Sequence, residues 1–467
     1  MRGVVISAIV TLLAGCASDP ARNGKKGNEP PPTATWDWAG VVGTGQSLAV
    51  GQFGQPPAAT EQPYGNLKLS TGTAMWPMDS DDPSFSLVPL TEPIGRPSTG
   101  YPSSYPTNIA GETPHAAMAN QITALFVAAG GSDHVGVHGE FGENGQGLVY
   151  LKKGATEMGV NGRAYEATLM ETRAVKRLAD EAGKSYGVGA IIVTHGESDA
   201  GNASYAADLY QLWSDYNADL SAITGQTKKP LMIVSQQNSV NNRSASTLAQ
   251  WKIGVEHPED VVCSGPKYQY QYYYADAVHL VTPGYEALGE KYGQIYFERV
   301  VLGRDWQPLQ PTTVERTSAR EITVNFHVPV PPLVWETAFP NPHDRTENWR
   351  NGKGFELRGS SGNLAIESVA IKGNSVVVTS VEDLPATGAF VGYALMANAP
   401  ETCDPVCPNG EFCENAVCMP GTTGGSRRTP SQGTFRWGLL RDSDPFVGRM
   451  TNQPQPNYAV AFELPVP

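Results

Sequence analysis

The sequence is poor in charge. Asp, Glu, Lys and Arg make up 17% of its 467 residues, below the roughly 25% of an average soluble domain. Only 33 of these are basic against 46 acidic, a net charge of -13. Counterion release from a phosphate backbone therefore supplies no general driving force, and nucleic acid is excluded as an expected partner. No glycine-rich phosphate cradle is present, nor any repeat with a period of roughly 20 to 50 residues. Long apolar runs are also missing: Val4 to Ala14 falls well short of the about 20 residues that a membrane-spanning helix needs. What is plentiful is turn formers, with 50 Gly and 37 Pro, alongside 40% hydrophobic residues. That composition excludes a disordered chain, and the length points to two or three domains.

The opening MRGVVISAIVTLLAGC has one Arg, then the apolar run, then small residues before Cys16. This is the pattern of an export signal. Leu13-Ala14-Gly15-Cys16 resembles the lipobox of bacterial lipoproteins. The resemblance implies removal of residues 1–15, acylation of Cys16 and a lipid anchor in the cell envelope, at the bacterial outer membrane or surface. An ordinary signal followed by an unrelated Cys is the plainer alternative. Residues 16–35, polar and rich in Gly and Pro, read as a flexible tether.

Export sets the redox compartment for the six cysteines, at 16, 263, 403, 407, 413 and 418. Four of them, spaced C-x3-C-x5-C-x4-C with Gly and Pro between, read as a small disulfide knot at about 401–425 whose pairing stays open. Zinc is the rival reading, although no His lies in that segment. Cys263, in the apolar stretch Val261-Val262-Cys263, reads as a buried thiol.

Between residues 36 and 304, short apolar runs alternate with segments of helical period. This predicts an α/β domain, a three-layer flavodoxin-like arrangement of parallel sheet and covering helices. Strands are expected at Trp38 to Val42, Val135 to Val137, Tyr186 to Thr194 and Leu231 to Ser235. Helices are expected at His115 to Ala129, Tyr165 to Ala182, Tyr205 to Ile223 and Pro283 to Val301. From 305 to 467 the period changes to two, with Gly and Pro every ten or so residues, which predicts a β-sandwich carrying the Cys-rich insertion. Within it, Gly359 to Asn363 reads as a hairpin turn, and Ile322 to Phe326, Ser375 to Ser380 and Tyr458 to Leu464 as strands.

Two polar segments fall where a parallel sheet puts its ligands, at the carboxyl ends of its strands, and a third precedes a helix. Gly43-Thr44-Gly45-Gln46-Ser47-Leu48 follows the first strand. Its glycines permit a turn in which the Ser47 hydroxyl and amide share one pocket, although a helix cap is the bland reading. Thr194-His195-Gly196-Glu197-Ser198-Asp199 follows the strand ending at Val193, a cluster that is costly to bury unless paired. Asp276-Ala277-Val278-His279 precedes a helix starting at Pro283, so one loop holds a carboxylate and an imidazole. A carboxylate on one imidazole nitrogen leaves the other to take a proton from a serine; a surface salt link is the alternative.

Together these segments resemble the SGNH hydrolases, and more closely the sialate O-acetylesterase-like carbohydrate esterases. Ser47 in GQS, the HGESDA block and DAVHLVTPGY match the family's motifs in order and spacing, over residues 36 to about 304. The resemblance implies Ser47 as nucleophile, His279 as base and Asp276 as its orienting partner, with no metal or organic cofactor. It implies an oxyanion hole from the amides of Ser47 and Gly145, Asn144 being the fallback for the second, aided by His195, and Glu197 as a loop brace. This chain has His195 where the family commonly has Gln, and Gly142 to Gly147 stands where the family has a shorter Gly-rich turn. The expected substrate is an O-acylated carbohydrate bearing acetyl or another short acyl group. The rival from another class is an inactive surface protein that binds a glycan or a partner on the same scaffold; a lipase or peptidase with the same triad ranks lower. Two further features stay bland. His134 and His138 are expected at the ends of their strand rather than on a metal, and the Tyr268 to Tyr274 run serves either sugar stacking or strand packing.

Overall fold

The computed structural model describes residues 30–70, 79–94, 111–155, 163–273, 278–398, 406, 411–414, 417–420, 426–427 and 435–467. Cys16, Cys403, Cys407 and Asp276 lie outside them, so the lipid anchor, most of the Cys knot and the orienting carboxylate are not described.

The first strand, β1 (Trp38–Gly45), buries every residue after Trp38, as an apolar run covered on both faces must. Two short strands follow, β2 (Leu67–Leu69) and β3 (Leu87–Pro89), then helix α1 (Pro114–Ala128), capped by the Thr113 side chain and started by Pro114. The chain continues through β4 (Val135–Glu140), α2 (Leu148–Leu151), α3 (Arg163–Glu181), β5 (Tyr186–Thr194), α4 (Tyr205–Thr224), β6 (Leu231–Gln236), α5 (Ala245–Glu256), β7 (Val261–Pro266), β8 (Tyr272–Tyr273) and α6 (Thr282–Tyr296).

The sheet order is β3-β2-β4-β1-β5-β6-β7, parallel except where β3 meets β2. Counting only β1, β4, β5, β6 and β7, the order is the flavodoxin-like one, and the chain reverses its direction of travel across the sheet at β1. The loops leaving β1, β4 and β5 therefore emerge side by side at the switch point. Helix α5 and strand β7 carry no periodic signal in the sequence beyond the apolar Val261 to Cys263; Cys263 is a free, buried thiol within β7. The expected single helix from Pro283 to Val301 ends earlier, at Tyr296, and continues as a π turn over Phe297–Val301.

Beyond it, two four-stranded antiparallel sheets form the second region. One orders Ile366–Lys372, Ser375–Ser380, Glu321–His327 and Gln310–Arg316; the other Gly362–Leu364, Phe355–Gly359, Phe390–Tyr393 and Phe462–Pro465. Phe326 from the first meets Phe355 and Phe462 from the second at ring separations of 6.4 and 6.0 Å, so the core between the sheets is aromatic. In the Cys-rich stretch, Glu411–Glu414 pairs with Val417–Pro420, setting Cys413 opposite Cys418 along the backbone.

The C-terminal segment is bonded into the α/β layer. Gln236 Nε2 donates to Ala461 O at 2.8 Å and Tyr268 Oη to Ala459 O at 3.0 Å, while buried Glu290 of α6 accepts from the Thr451 amide at 2.8 Å and from its hydroxyl at 2.6 Å. The two regions thus share one continuous set of buried polar contacts.

Candidate active site

Ser47 sits one turn beyond β1, buried to 3% exposure. The turn depends on Gly45, whose φ is +148° and where an added Cβ would fall 2.1 Å from the Thr194 carbonyl oxygen. Only glycine lets β1 approach the end of β5 this closely. Gln46 closes the junction, its amide donating to Thr194 O at 3.3 Å and its Oε1 accepting from the Ser198 amide at 3.1 Å. The loop after β4 joins the same cluster. Glu143 donates from its amide to Gly45 O at 2.9 Å, and Ser198 Oγ donates to Gly145 O at 3.2 Å. Three segments far apart in sequence are therefore knitted at one edge of the sheet.

Gly145 is the exposed tip of its turn, at φ +73° with open space where a side chain would stand. Among the described residues, the amides of Ser47 and Gly145 donate to no acceptor, and Ser47 Oγ makes no hydrogen bond. An unpartnered amide on the serine itself, as at Ser47, is what an oxyanion-binding turn requires.

His195 has a different role from the one expected of it. Its Nε2 lies 2.9 Å from Gln146 O, which only accepts, so Nε2 bears the proton; Nδ1 then accepts from Tyr205 Oη at 2.7 Å. Burial lowers its pKa and keeps the ring neutral. With its one proton directed at Gln146, His195 does not point a donor at an oxyanion. It holds the turn that presents Gly145.

Glu197 lies beside it, fully buried, with Lys267 Nζ 2.8 Å from Oε1. Burial alone would raise the carboxyl pKa, but the Lys267 charge and hydrogen bond outweigh it and the net shift is downward. The pair ties the loop after β5 to the loop after β7, a structural brace.

His279 is carried by a short hairpin. The Tyr273 amide donates to His279 O at 2.7 Å and the Val281 amide to Gln271 O at 3.2 Å. The imidazole packs edge-on against Phe53, centroids 5.2 Å apart, and Phe53 stacks on Tyr273 at 4.4 Å. Phe53 belongs to the loop that leaves Ser47, and its φ of +64° is a costly conformation for an aromatic residue. Two bonds from α6 fasten that loop: Thr282 Oγ1 to Pro56 O at 2.7 Å and Tyr285 Oη to Gln52 O at 2.7 Å. The serine loop and the histidine loop are thereby packed against each other.

Sequence reasoning missed a second buried group beneath these loops. Glu140, at the end of β4, takes His115 Nε2 at 2.9 Å on one oxygen and the Gly142 amide at 2.6 Å on the other, while His115 Nδ1 lies 3.2 Å from His138 Nδ1. His138 lies inside β4 rather than at its end as expected, and burial holds its pKa well below the usual value. His115 sits on α1 and Glu140 on β4, so no local spacing announces the pair. The Tyr run resolves mainly toward packing. Tyr268, Tyr270 and Tyr272 are buried, whereas Tyr273 reaches the Phe53 ring.

No family model matches the sequence, and no curated protein matches it. Among solved structures, the chain is similar to a carbohydrate acetylesterase from Xanthomonas citri, with a TM-score of 0.51 and 11% identity over 91% of this chain and 80% of that one. A protein from Arabidopsis thaliana aligns with a TM-score of 0.41 and 17% identity, over 58% of this chain and 100% of that one. A carbohydrate acetylesterase from Sinorhizobium meliloti aligns with a TM-score of 0.30 and 12% identity, over 56% and 99%. At 11% identity the likeness to the Xanthomonas enzyme is one of fold: a parallel-dominated α/β sheet joined to an antiparallel region, as in a carbohydrate esterase.

Proposed function

We propose that this protein is a serine esterase that removes acetyl or another short acyl group from an O-acylated carbohydrate, and that it is held at the cell envelope by a lipid on Cys16. The observation that carries the catalytic reading is the packing of the Ser47 loop on the His279 hairpin through Phe53, beside the unpartnered amide of Ser47. The sugar ester as substrate rests on the family resemblance of the three motifs and on the shared fold.

In the mechanism, Ser47 Oγ attacks the ester carbonyl while His279 takes the hydroxyl proton. Asp276, three residues before His279, orients the ring and stabilises its cation. The amides of Ser47 and Gly145 bind the oxyanion that forms on the carbonyl oxygen. As the bond from the acyl carbon to the sugar oxygen breaks, the imidazolium gives its proton to that oxygen, and the sugar leaves with a free hydroxyl. Water, deprotonated by His279, then releases the acid from Ser47. His195, Gln46 and the Glu197–Lys267 pair hold the turns that present these groups.

Ser47→Ala is expected to lower kcat for p-nitrophenyl acetate by several powers of ten, on the order of 10⁴ or more. A serine-directed fluorophosphonate is expected to label the parent protein and not the variant. Hydrolysis by Ser47→Ala at the parent rate would overturn the assignment, and failure of the folded parent to react with either reagent would favour the glycan-binding alternative. For the anchor, Cys16→Ser is expected to release the protein from the membrane fraction; its retention there would count against lipidation.

A further inference from the structure

A cavity of about 750 Å³ lies where the α/β layer meets the C-terminal segment, walled by residues around Gln269 to Gln271, the first turns of α6, the stretch 336–339 and the stretch 450–458. That volume suits a small ligand. Gln271 and Pro283, both in its wall, bracket the hairpin that carries His279. No step of the proposed mechanism uses the cavity.

Its chemistry is specific. Four glutamines line it, at 269, 271, 453 and 455. A primary amide both donates and accepts, which matches a sugar hydroxyl that does the same. Gln455 is buried with its Nε2 donating to Glu290, while Gln269 and Gln271 are half-buried and Gln453 is exposed, so amide groups at three positions remain reachable from the cavity. The half-buried ring of Phe339, stacked on Tyr458 with centroids 5.5 Å apart, adds an apolar wall.

The charges select among sugars. Glu286 and Glu336 are both in the wall. The one cation among the described lining residues, Lys291, is buried and already committed to Gln455 O at 2.9 Å, Asn457 Oδ1 at 3.0 Å and Gln294 Oε1 at 2.7 Å. Glu336 is itself paired with Arg441 at 3.0 Å, so a sugar carboxylate would meet the further acidic residue Glu286 and no cation that is not already engaged. We propose that this cavity is a subsite for an uncharged sugar unit of the substrate chain, so that the enzyme acts on esters carried by neutral glycans rather than on sialosides or uronates. The inference rests on the esterase reading for its purpose but not for its test.

The experiment is calorimetric titration of the full protein with unacetylated xylo-, cello- and manno-oligosaccharides, and with trigalacturonate and sialyllactose. Ala338→Trp and Pro454→Trp, two exposed wall positions, are each designed to fill the cavity without touching the catalytic loops. At least one neutral oligosaccharide is expected to bind, both Trp variants to weaken that binding at least about tenfold, and both to keep the parent rate on p-nitrophenyl acetate. The acidic sugars are expected not to bind. If no neutral oligosaccharide binds, if binding survives both Trp variants, or if the acidic sugars bind as well, the subsite proposal falls while hydrolysis of p-nitrophenyl acetate leaves the esterase reading standing. Conversely, cavity-dependent sugar binding by a protein inert toward the acetate would sustain the subsite and overturn the esterase.

Discussion

Phe53 concentrates several demands in one residue. It follows the Ser47 turn, adopts a left-handed backbone conformation, is 40% exposed and packs against the imidazole of His279. An aromatic residue held at positive φ persists only where its surroundings over-determine it, and such positions cluster at functional sites. Phe53→Gly separates the two effects. Relief of the backbone is expected to offset the lost ring contact, leaving stability within about 1 kcal/mol of the parent. The rate on p-nitrophenyl acetate is expected to fall about tenfold, because His279 loses the surface that orients it. A variant as active as the parent would show that the contact does not position the base. His195 teaches the same point in reverse: its residue type suits an oxyanion donor, yet the acceptor-only Gln146 carbonyl beside Nε2 determines where its proton goes.

At the level of elements, the site is an edge of the sheet made rigid from below. The ends of β1, β4 and β5 are cross-linked by backbone bonds, and the loops after β5 and β7 by the Lys267–Glu197 pair, with side chains 1% and 5% exposed. A buried pair of this kind contributes little net attraction, because both charges are desolvated, but removing one partner leaves the other uncompensated. Lys267→Met is therefore expected to cost about 3–5 kcal/mol in urea unfolding. The double variant Lys267→Met with Glu197→Leu is expected to recover most of that loss. If the double variant is as unstable as the sum of the two singles, the pair is not the coupling that holds these loops.

The whole molecule carries an unusual load of buried titratable groups, and their signs give a pH profile. Burial pushes Glu171 up to about 8 with no partner charge involved; burial and Glu92 push Glu112 to about 8; burial raises Glu92 and Glu356 to about 7. A carboxyl raised in the folded state contributes stability that is complete below its unfolded value and lost as pH climbs through the folded one. Burial instead lowers His134 and His343 to about 4, so stability from these is lost as pH falls below the ordinary histidine value. Between about pH 7.5 and 8.5 His134 and His343 are neutral folded and unfolded, and the raised carboxyls still change. The thermal midpoint is expected to fall across that window. Glu171→Gln removes one ionisation and is expected to flatten the fall, gaining a few kcal/mol at pH 8.5 and almost nothing at pH 4 in melts followed by circular dichroism. An unchanged slope would mean that Glu171 ionises without penalty.

Periodicity and punctuation determined much of this molecule by themselves. Buried parallel strands must be continuous apolar runs, as at Tyr186–Thr194, and helices covering them must show a 3.6 period, as in Tyr205–Thr224; both are local rules, and both strands and helices stand where the sequence puts them. The Ser47 and His195 blocks were legible because each follows a strand, and the adjacency of β1 and β5 brings their starting points together; the His279 block was legible from its place before a helix. Helix α5, with little amphipathic contrast, and the short strands β2 and β3 were not legible, because their form depends on neighbours rather than on a pattern of their own. Only the tertiary structure decided that His115 from α1 pairs with Glu140 from β4, that His195 faces a carbonyl, and that a C-terminal segment closes a glutamine-lined cavity next to the histidine hairpin. Hydrogen bonding and charge pairing act through distances of a few ångströms, and chain separation carries no information about those until the sheet has fixed which ends meet.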